Sequence, residues 1–208
     1  MIHEILLYFS ENSGEYIGYL LTHLRLSLQA LFLASVIGLP LGYLCYKLDF
    51  LKSTLTSLIQ GLRVIPSLAV LFLLIPLVGI GKIPALIALT LLALPPILIN
   101  TVLGFSDLIP ALLEVSLGLG MNSSQLLWRI QLPLALPYIL TGIKLALVEL
   151  IASTTLAAYI GAGGLGNLII TGLGLARMDL LVIGGGSVAL LSLVMMLSLD
   201  GLIKGVQK

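Results

Sequence analysis

Apolar residues fall into five long runs, roughly 24–46, 56–80, 84–103, 135–160 and 180–203. Each reaches the about 20 residues that a helix needs to cross the hydrocarbon core of a bilayer. Short polar breaks separate the first three runs: Lys47, Asp49 and Lys52, then the stretch from Gly79 to Pro84. The interval between the third and fourth runs is longer and more polar, and a Gly-rich break runs from Gly161 to Arg177. The pattern predicts an all-α integral membrane protein. It forms a single domain over residues 1–208, with about five transmembrane helices and one long loop, 106–133.

Composition strengthens that reading. The chain of 208 residues is 59% hydrophobic and 9% charged, where soluble domains carry about 25% charged residues. The net charge of +1 offers no electrostatic case for a nucleic acid partner. Cys45 is the single cysteine, and His3 and His23 are the only histidines, so neither metal-ligand spacing nor a thiol–imidazole pair can be assembled. Residues 1–22 contain Glu4, Glu11 and Glu15 but no Lys or Arg, so they lack the basic region of a signal peptide.

Five spans place the termini on opposite sides. With the N-terminus outside, Lys47, Lys52, Arg129, Lys204 and Lys208 lie in cytoplasmic segments, against Arg25, Lys82 and Arg177 outside. Arg63 and Lys144 then fall in the cytoplasmic halves of spans. The excess of inner positive charge favours a multi-pass protein of the cytoplasmic membrane with its N-terminus outside and its C-terminus cytoplasmic.

Loop 106–133 carries its own folding signals. Ser106 or Asp107 can cap a helix, Pro110 suits a first turn, and Gly118 and Gly120 can end the helix. Asn122 with Gln125 three residues on reads as a capping box for a second helix, on which Leu126, Leu127 and Ile130 share a face. Pro133 punctuates the approach to the fourth span. Two short amphipathic helices joined at a glycine turn are expected, lying on the cytoplasmic side.

The spacing of Glu114, Gly120, Ile130, Leu132 and Pro133 resembles the E-A-A-x3-G-x9-I-x-L-P signature of permeases in binding-protein-dependent ABC importers. Val115 and Ser116 stand where that family has two alanines. Ile65–Ala69 and Ile75–Gly81, Leu94–Thr101 and Thr155–Gly166 are similar to stretches of the osmoprotectant branch, which handles glycine betaine, carnitine and choline. Ergothioneine importers use a similar permease. The resemblance covers roughly residues 20–205 and implies a type I ABC importer permease fold. It implies that the loop is a coupling helix seated on an ABC ATPase dimer, which holds ATP and Mg. It also implies a second permease copy or sibling permease, and an extracytoplasmic substrate-binding protein or domain. Membrane lipid completes the surroundings, and no cofactor belongs to this chain.

Glu149 sits mid-way along the fourth run, where a carboxylate must face a cavity or a partner. It reads either as a negative group on the path of a cationic solute, or as a structural acid. In the second case it pairs with Arg63 or Lys144, or is protonated and bonded to Ser153. Pro66, Ser67 and Asn100 are the further path candidates; prolines within spans free carbonyls that can line a path. Asn100, Thr154 and Thr155 also suit interhelical hydrogen bonding, Arg63 an anchor at the second span and Asp200 the interface.

Gly161–Gly166 satisfies the G-x-G-x-x-G dinucleotide fingerprint, but it follows a membrane span rather than a strand and reads as a flexible outer turn. No phosphate-binding G-x-x-x-x-G-K-[ST] exists in the chain, so an ATPase has to be another polypeptide. Two rivals remain: an ion-coupled secondary carrier, which gives Glu149 a role but leaves the loop without one, and an intramembrane enzyme, which lacks a catalytic constellation.

Overall fold

The computed structural model describes residues 2–48, 61 and 65–206, and the elements within them are helical. In chain order they are α1 (Ile2–Lys47), α2 (Ser67–Val78), α3 (Lys82–Ser106), α4 (Pro110–Gly118) and α5 (Ser123–Leu126). A π-helical turn (Leu127–Gln131) leads into α6 (Leu132–Ala157) and a 3-10 turn (Ala158–Ile160), then come α7 (Gly166–Gly174) and α8 (Met178–Val206). Among the described residues four helical segments are long and apolar enough to span a bilayer: Ile2–Lys47, Lys82–Ser106, Ser123–Ile160 and Met178–Gly205. The shorter apolar α2 is the described part of the expected second span. Residues 56–60 and 62–64 of that run, Arg63 among them, lie outside the described residues.

α1 begins far ahead of the expected residue 24. Its 46 residues extend about 70 Å at 1.5 Å per residue, more than twice a hydrocarbon core of about 30 Å. A kink resolves the excess. Asn12 leaves helical geometry (φ −121°, ψ 21°), and its side-chain amide donates to the Tyr8 carbonyl at 3.3 Å. The N-terminal arm packs Tyr8 against Leu165, Leu168, Leu180 and Ile183.

α3 is the most buried spanning helix and lies between α1 and α6. The three meet where alanines, Ala30 and Ala34 of α1, Ala93 of α3 and Ala146 of α6, interleave with Leu89, Ile97 and Leu150. With no hydrophobic drive between helices in lipid, small residues gain stability by letting backbones approach. Gly142 shows how closely. A Cβ there would fall 2.8 Å from the Pro96 carbonyl oxygen and 2.8 Å from Asn100 Cβ.

A polar joint reinforces the α1–α6 contact. The buried His23 Nε2 donates to the Ile151 carbonyl at 2.9 Å, and the Ser27 and Thr154 hydroxyls lie 3.0 Å apart. Thr154 thus acts between helices, as expected. Asn100 does not: its amide donates to the Pro96 carbonyl of its own helix at 2.8 Å. Thr155 likewise bonds within its helix, to Ala152. The Asp200 carboxylate meets Lys144 Nζ at 2.5 Å, tying α8 to α6.

The Gly161–Gly166 stretch is a packed turn rather than a flexible one. Ala162, Leu165 and Gly166 are buried, His23 lies against Gly164, and α7 begins within what the sequence marks as a break. Short apolar helices between glycines lack a span-length signal, so periodicity alone passes over α7.

Candidate functional site

Pro110 opens α4 in its first turn, where the missing N–H costs no helical bond. Neither Ser106 nor Asp107 caps it. Ile109 holds the N-cap position without a side-chain bond, Ser106 ends α3, and the Asp107 carboxylate accepts from the Tyr138 hydroxyl. Asp107 is thus drawn toward α6, and the cap is lost to a tertiary contact.

The end of α4 is a Schellman turn. Gly120 N–H donates to Leu117 at 2.9 Å and Met121 N–H to Ser116 at 3.3 Å, with Gly120 at φ +83°. Only a residue tolerant of left-handed angles closes this pattern without strain. Ser116 is buried and its hydroxyl donates to the Leu112 carbonyl at 2.7 Å. A serine therefore takes the place of the family's alanine by satisfying its own hydroxyl. Glu114 and Val115 are exposed.

The capping box forms as read from the sequence. Asn122 accepts from Gln125 N–H at 2.8 Å, and the Gln125 side chain accepts from Asn122 N–H at 3.0 Å. Beyond the box, the chain departs from the expected pair of short helices. α5 runs without a break through the π turn into α6, a segment of 38 residues from Ser123 to Ile160. Pro133 therefore does not interrupt the chain. The N–H of Leu132 reaches back five residues to Leu127, and this widened turn takes up the proline that a regular α-helix would reject. Ile130 and Leu132 are half-buried, Leu126 is buried, and Trp128 beside them is exposed. The loop is therefore a lever in one piece with a spanning helix.

Glu149, Pro66 and Ser67 come together. They line a cavity of about 410 Å³ with Ser153 of α6, Leu91, Leu92 and Pro95 of α3, and apolar residues of α2. Glu149 and Ser153 are one turn apart on one face of α6. Pro95 and Pro96 cannot supply the N–H groups that would otherwise bond the Leu91 and Leu92 carbonyls, so acceptors gather on the same wall. Asn100 is not among the lining residues; it lies further along α3 toward the loop, against Gly142. Lys144, one of the expected partners of Glu149, is engaged with Asp200.

The ends of the helices sort consistently. Arg25 and Lys82 line one small cavity, and Gly81 N–H donates to the Ile160 carbonyl at 2.7 Å, so these lie at one end of the bundle. Tyr43, Tyr46 and Phe105 cluster at the other end, with Lys47 Nζ 5.1 Å over the Tyr43 ring, beside the loop. No group of three or more His, Cys, Asp or Glu residues suited to a metal occurs among the described residues.

Sequence reasoning missed the Lys144–Asp200 pair and the His23–Ser27–Thr154 joint. Opposite charges inside two separate spans were the available signal for the first. Of the second, the sequence marked Thr154 as an interhelical bonder but not its partner, which lies 127 positions away.

A helical membrane-spanning subunit with a projecting loop continuous with one of its spans is the class to which this geometry belongs. The chain belongs to the family described as binding-protein-dependent transport system inner membrane component, whose model matches residues 34–208. It is 38% identical to the carnitine transport permease protein OpuCB of Listeria monocytogenes, over 95% of this chain and 91% of that one. It is 35% identical to the choline transport system permease protein OpuBB of Bacillus subtilis, over 93% and 89%. A further relative, the ergothioneine transport permease/ergothioneine binding protein EgtU of Helicobacter pylori, is 36% identical over 78% of this chain and 30% of its own. In fold the chain matches a structure of the MetNI methionine ABC transporter in an inward-facing conformation, with TM-score 0.83 at 24% identity over 93% of this chain and 96% of that one. The fold is that of a type I ABC importer permease.

Proposed function

We propose that this chain is the translocation subunit of an ATP-driven importer for osmoprotectant or quaternary-ammonium solutes such as glycine betaine, choline and carnitine. The observation that carries the mechanical half is the loop from Pro110 to Pro133, closed by a Schellman turn and a capping box and fused to α6. Such a lever converts a push on an exposed cytoplasmic helix into movement of the span that bears Glu149. The substrate half draws on the relatives named for carnitine and choline transport.

In this reading Glu114, Val115 and Gly120 meet an ABC ATPase dimer that holds ATP and Mg, while Ser116, Ile130, Leu132 and Pro133 keep the loop rigid behind them. A second permease, identical or sibling, faces the cavity at Glu149, Pro66 and Ser67 to complete a path. An extracytoplasmic substrate-binding protein or domain delivers the solute on the side where the N-terminus lies. Glu149 presents a carboxylate to the ammonium group. Asn100 sets the α3–α6 contact rather than touching solute.

Competition of uptake in the reconstituted complex tests the reading. Glycine betaine, choline or carnitine should compete, and sugars, phosphate and acidic amino acids should not. Uptake of an anion without competition by any methylated ammonium solute would sink the substrate assignment. A second reading, ergothioneine as cargo, is supported by the Helicobacter pylori relative. Ergothioneine carries a trimethylammonium group too, so the same assay ranks it against the other three.

A further inference from the structure

A second cavity, of about 420 Å³, lies between the N-terminal arm of α1 and helices α7 and α8, away from the Glu149 cavity. Its volume falls within the about 300–1,000 Å³ of small-molecule sites. The lining includes Glu4, Tyr8, Glu11, Glu15, Tyr19 and Arg177. Three carboxylates against one guanidinium give the cavity a negative field.

Two of the charged groups are held in place by neighbours. The Tyr19 hydroxyl donates to Glu15 Oε1 at 2.6 Å, and Arg177 is fixed by Asp179, with Nη2 2.5 Å from Oδ2. An independent observation comes from Tyr8. Its side chain is 8% exposed, and its hydroxyl oxygen is fully buried with no hydrogen-bond partner among the described residues. Buried hydroxyls in folded proteins nearly always have a partner. Glu15 and Arg177 line the same cavity as this phenol. An anionic acceptor placed there would satisfy the Tyr8 O–H and sit beside the guanidinium, whose Nε and Nη2 already donate to Asp179.

We propose that this cavity, beside the Asn12 kink, is a low-affinity binding site for small methylated-ammonium solutes. Its tyrosines and carboxylates receive the ammonium group, and Tyr8 with Arg177 receives the carboxylate of a zwitterion. Aromatic rings and carboxylates together favour a diffuse methylated cation over a compact hydrated one. The inference rests on the substrate class proposed above and adds a place where solute is held on the N-terminal side of the bundle, separate from the path at Glu149.

The test is equilibrium binding of radiolabelled glycine betaine and choline to the permease–ATPase complex in nanodiscs, without receptor. Saturable binding of both is expected. Tyr8→Phe removes one oxygen and should weaken glycine betaine about tenfold, the size of one hydrogen bond to a charged group, while choline, which has no carboxylate, changes less than about twofold. Glu11→Gln should weaken choline by about tenfold, as loss of one nearby opposite charge does. Absence of saturable binding, or equal binding by wild type and both variants, overturns the site. If the receptor-loaded complex still imports both solutes in that case, the substrate class stands and only this site falls. Binding here by a complex that imports neither solute would instead remove the proposed substrate class.

Discussion

Lys144 and Asp200 meet at 2.5 Å, and through them α6, the helix continuous with loop 106–133, is tied to α8. The pair is part-exposed, with side chains 21% and 36% accessible, so its worth is that of a modest ion pair rather than a buried one. Its place matters more than its strength. It lies on the span that carries Glu149 and links that span to a helix with no residue in the loop.

Asp200→Asn should lower stability by about 1 kcal/mol and the unfolding midpoint in detergent by about 2–4 °C. Exchange of the two charges, Lys144→Asp with Asp200→Lys, should recover part of the loss. An unchanged midpoint in the single variant would show that the pair contributes nothing.

Gly120 holds a left-handed angle of +83° with open space around its α-carbon. Gly120→Val should strain the turn by about 1–2 kcal/mol, leave the chain inserted, and abolish uptake. Gly120→Asn, whose side chain tolerates that angle, should keep a substantial part of the activity. Full uptake by the valine variant would separate the turn from coupling.

Gly142 is a packing test of the α3–α6 contact. Gly142→Val would place carbon atoms against the Pro96 carbonyl and Asn100, an overpacking cost of about 1–3 kcal/mol. Protease resistance of the membrane-inserted protein should fall. Wild-type resistance would mean that the helices part more readily than this contact implies.

Glu149→Gln distinguishes a path residue from a structural acid. If the carboxylate faces solute, choline uptake should drop more than glycine betaine uptake, since choline has no carboxylate of its own to balance its charge. A drop on the order of tenfold corresponds to one lost ionic contact. Equal loss for both solutes would assign Glu149 to the structure alone.

Orientation is open to cysteine labelling in a Cys45→Ser background. Residues substituted at Glu11 and Leu173 should react with an impermeant reagent from outside, and one at Ser123 only after the membrane is opened. External labelling at Ser123 would reverse the topology and detach the loop from any cytoplasmic ATPase.

Features that depend on short stretches were legible in the chain alone. Runs of apolar residues marked the spans because each helix must satisfy its own backbone inside lipid. The Asn122–Gln125 box and the left-handed Gly120 were readable because capping acts over three or four residues. The loop signature from Glu114 to Pro133 is also linear, and it named the family that the matched residues 34–208 then showed. Contacts that join distant parts were settled by packing. Packing drew Asp107 off its cap to Tyr138 and paired Lys144 with Asp200. It also brought Glu149 to Pro66 and Ser67 while keeping Asn100 in the α3–α6 contact. These outcomes depend on which faces meet when helices pack, and no local propensity fixes the partner of a polar group that lies tens of residues away in the chain.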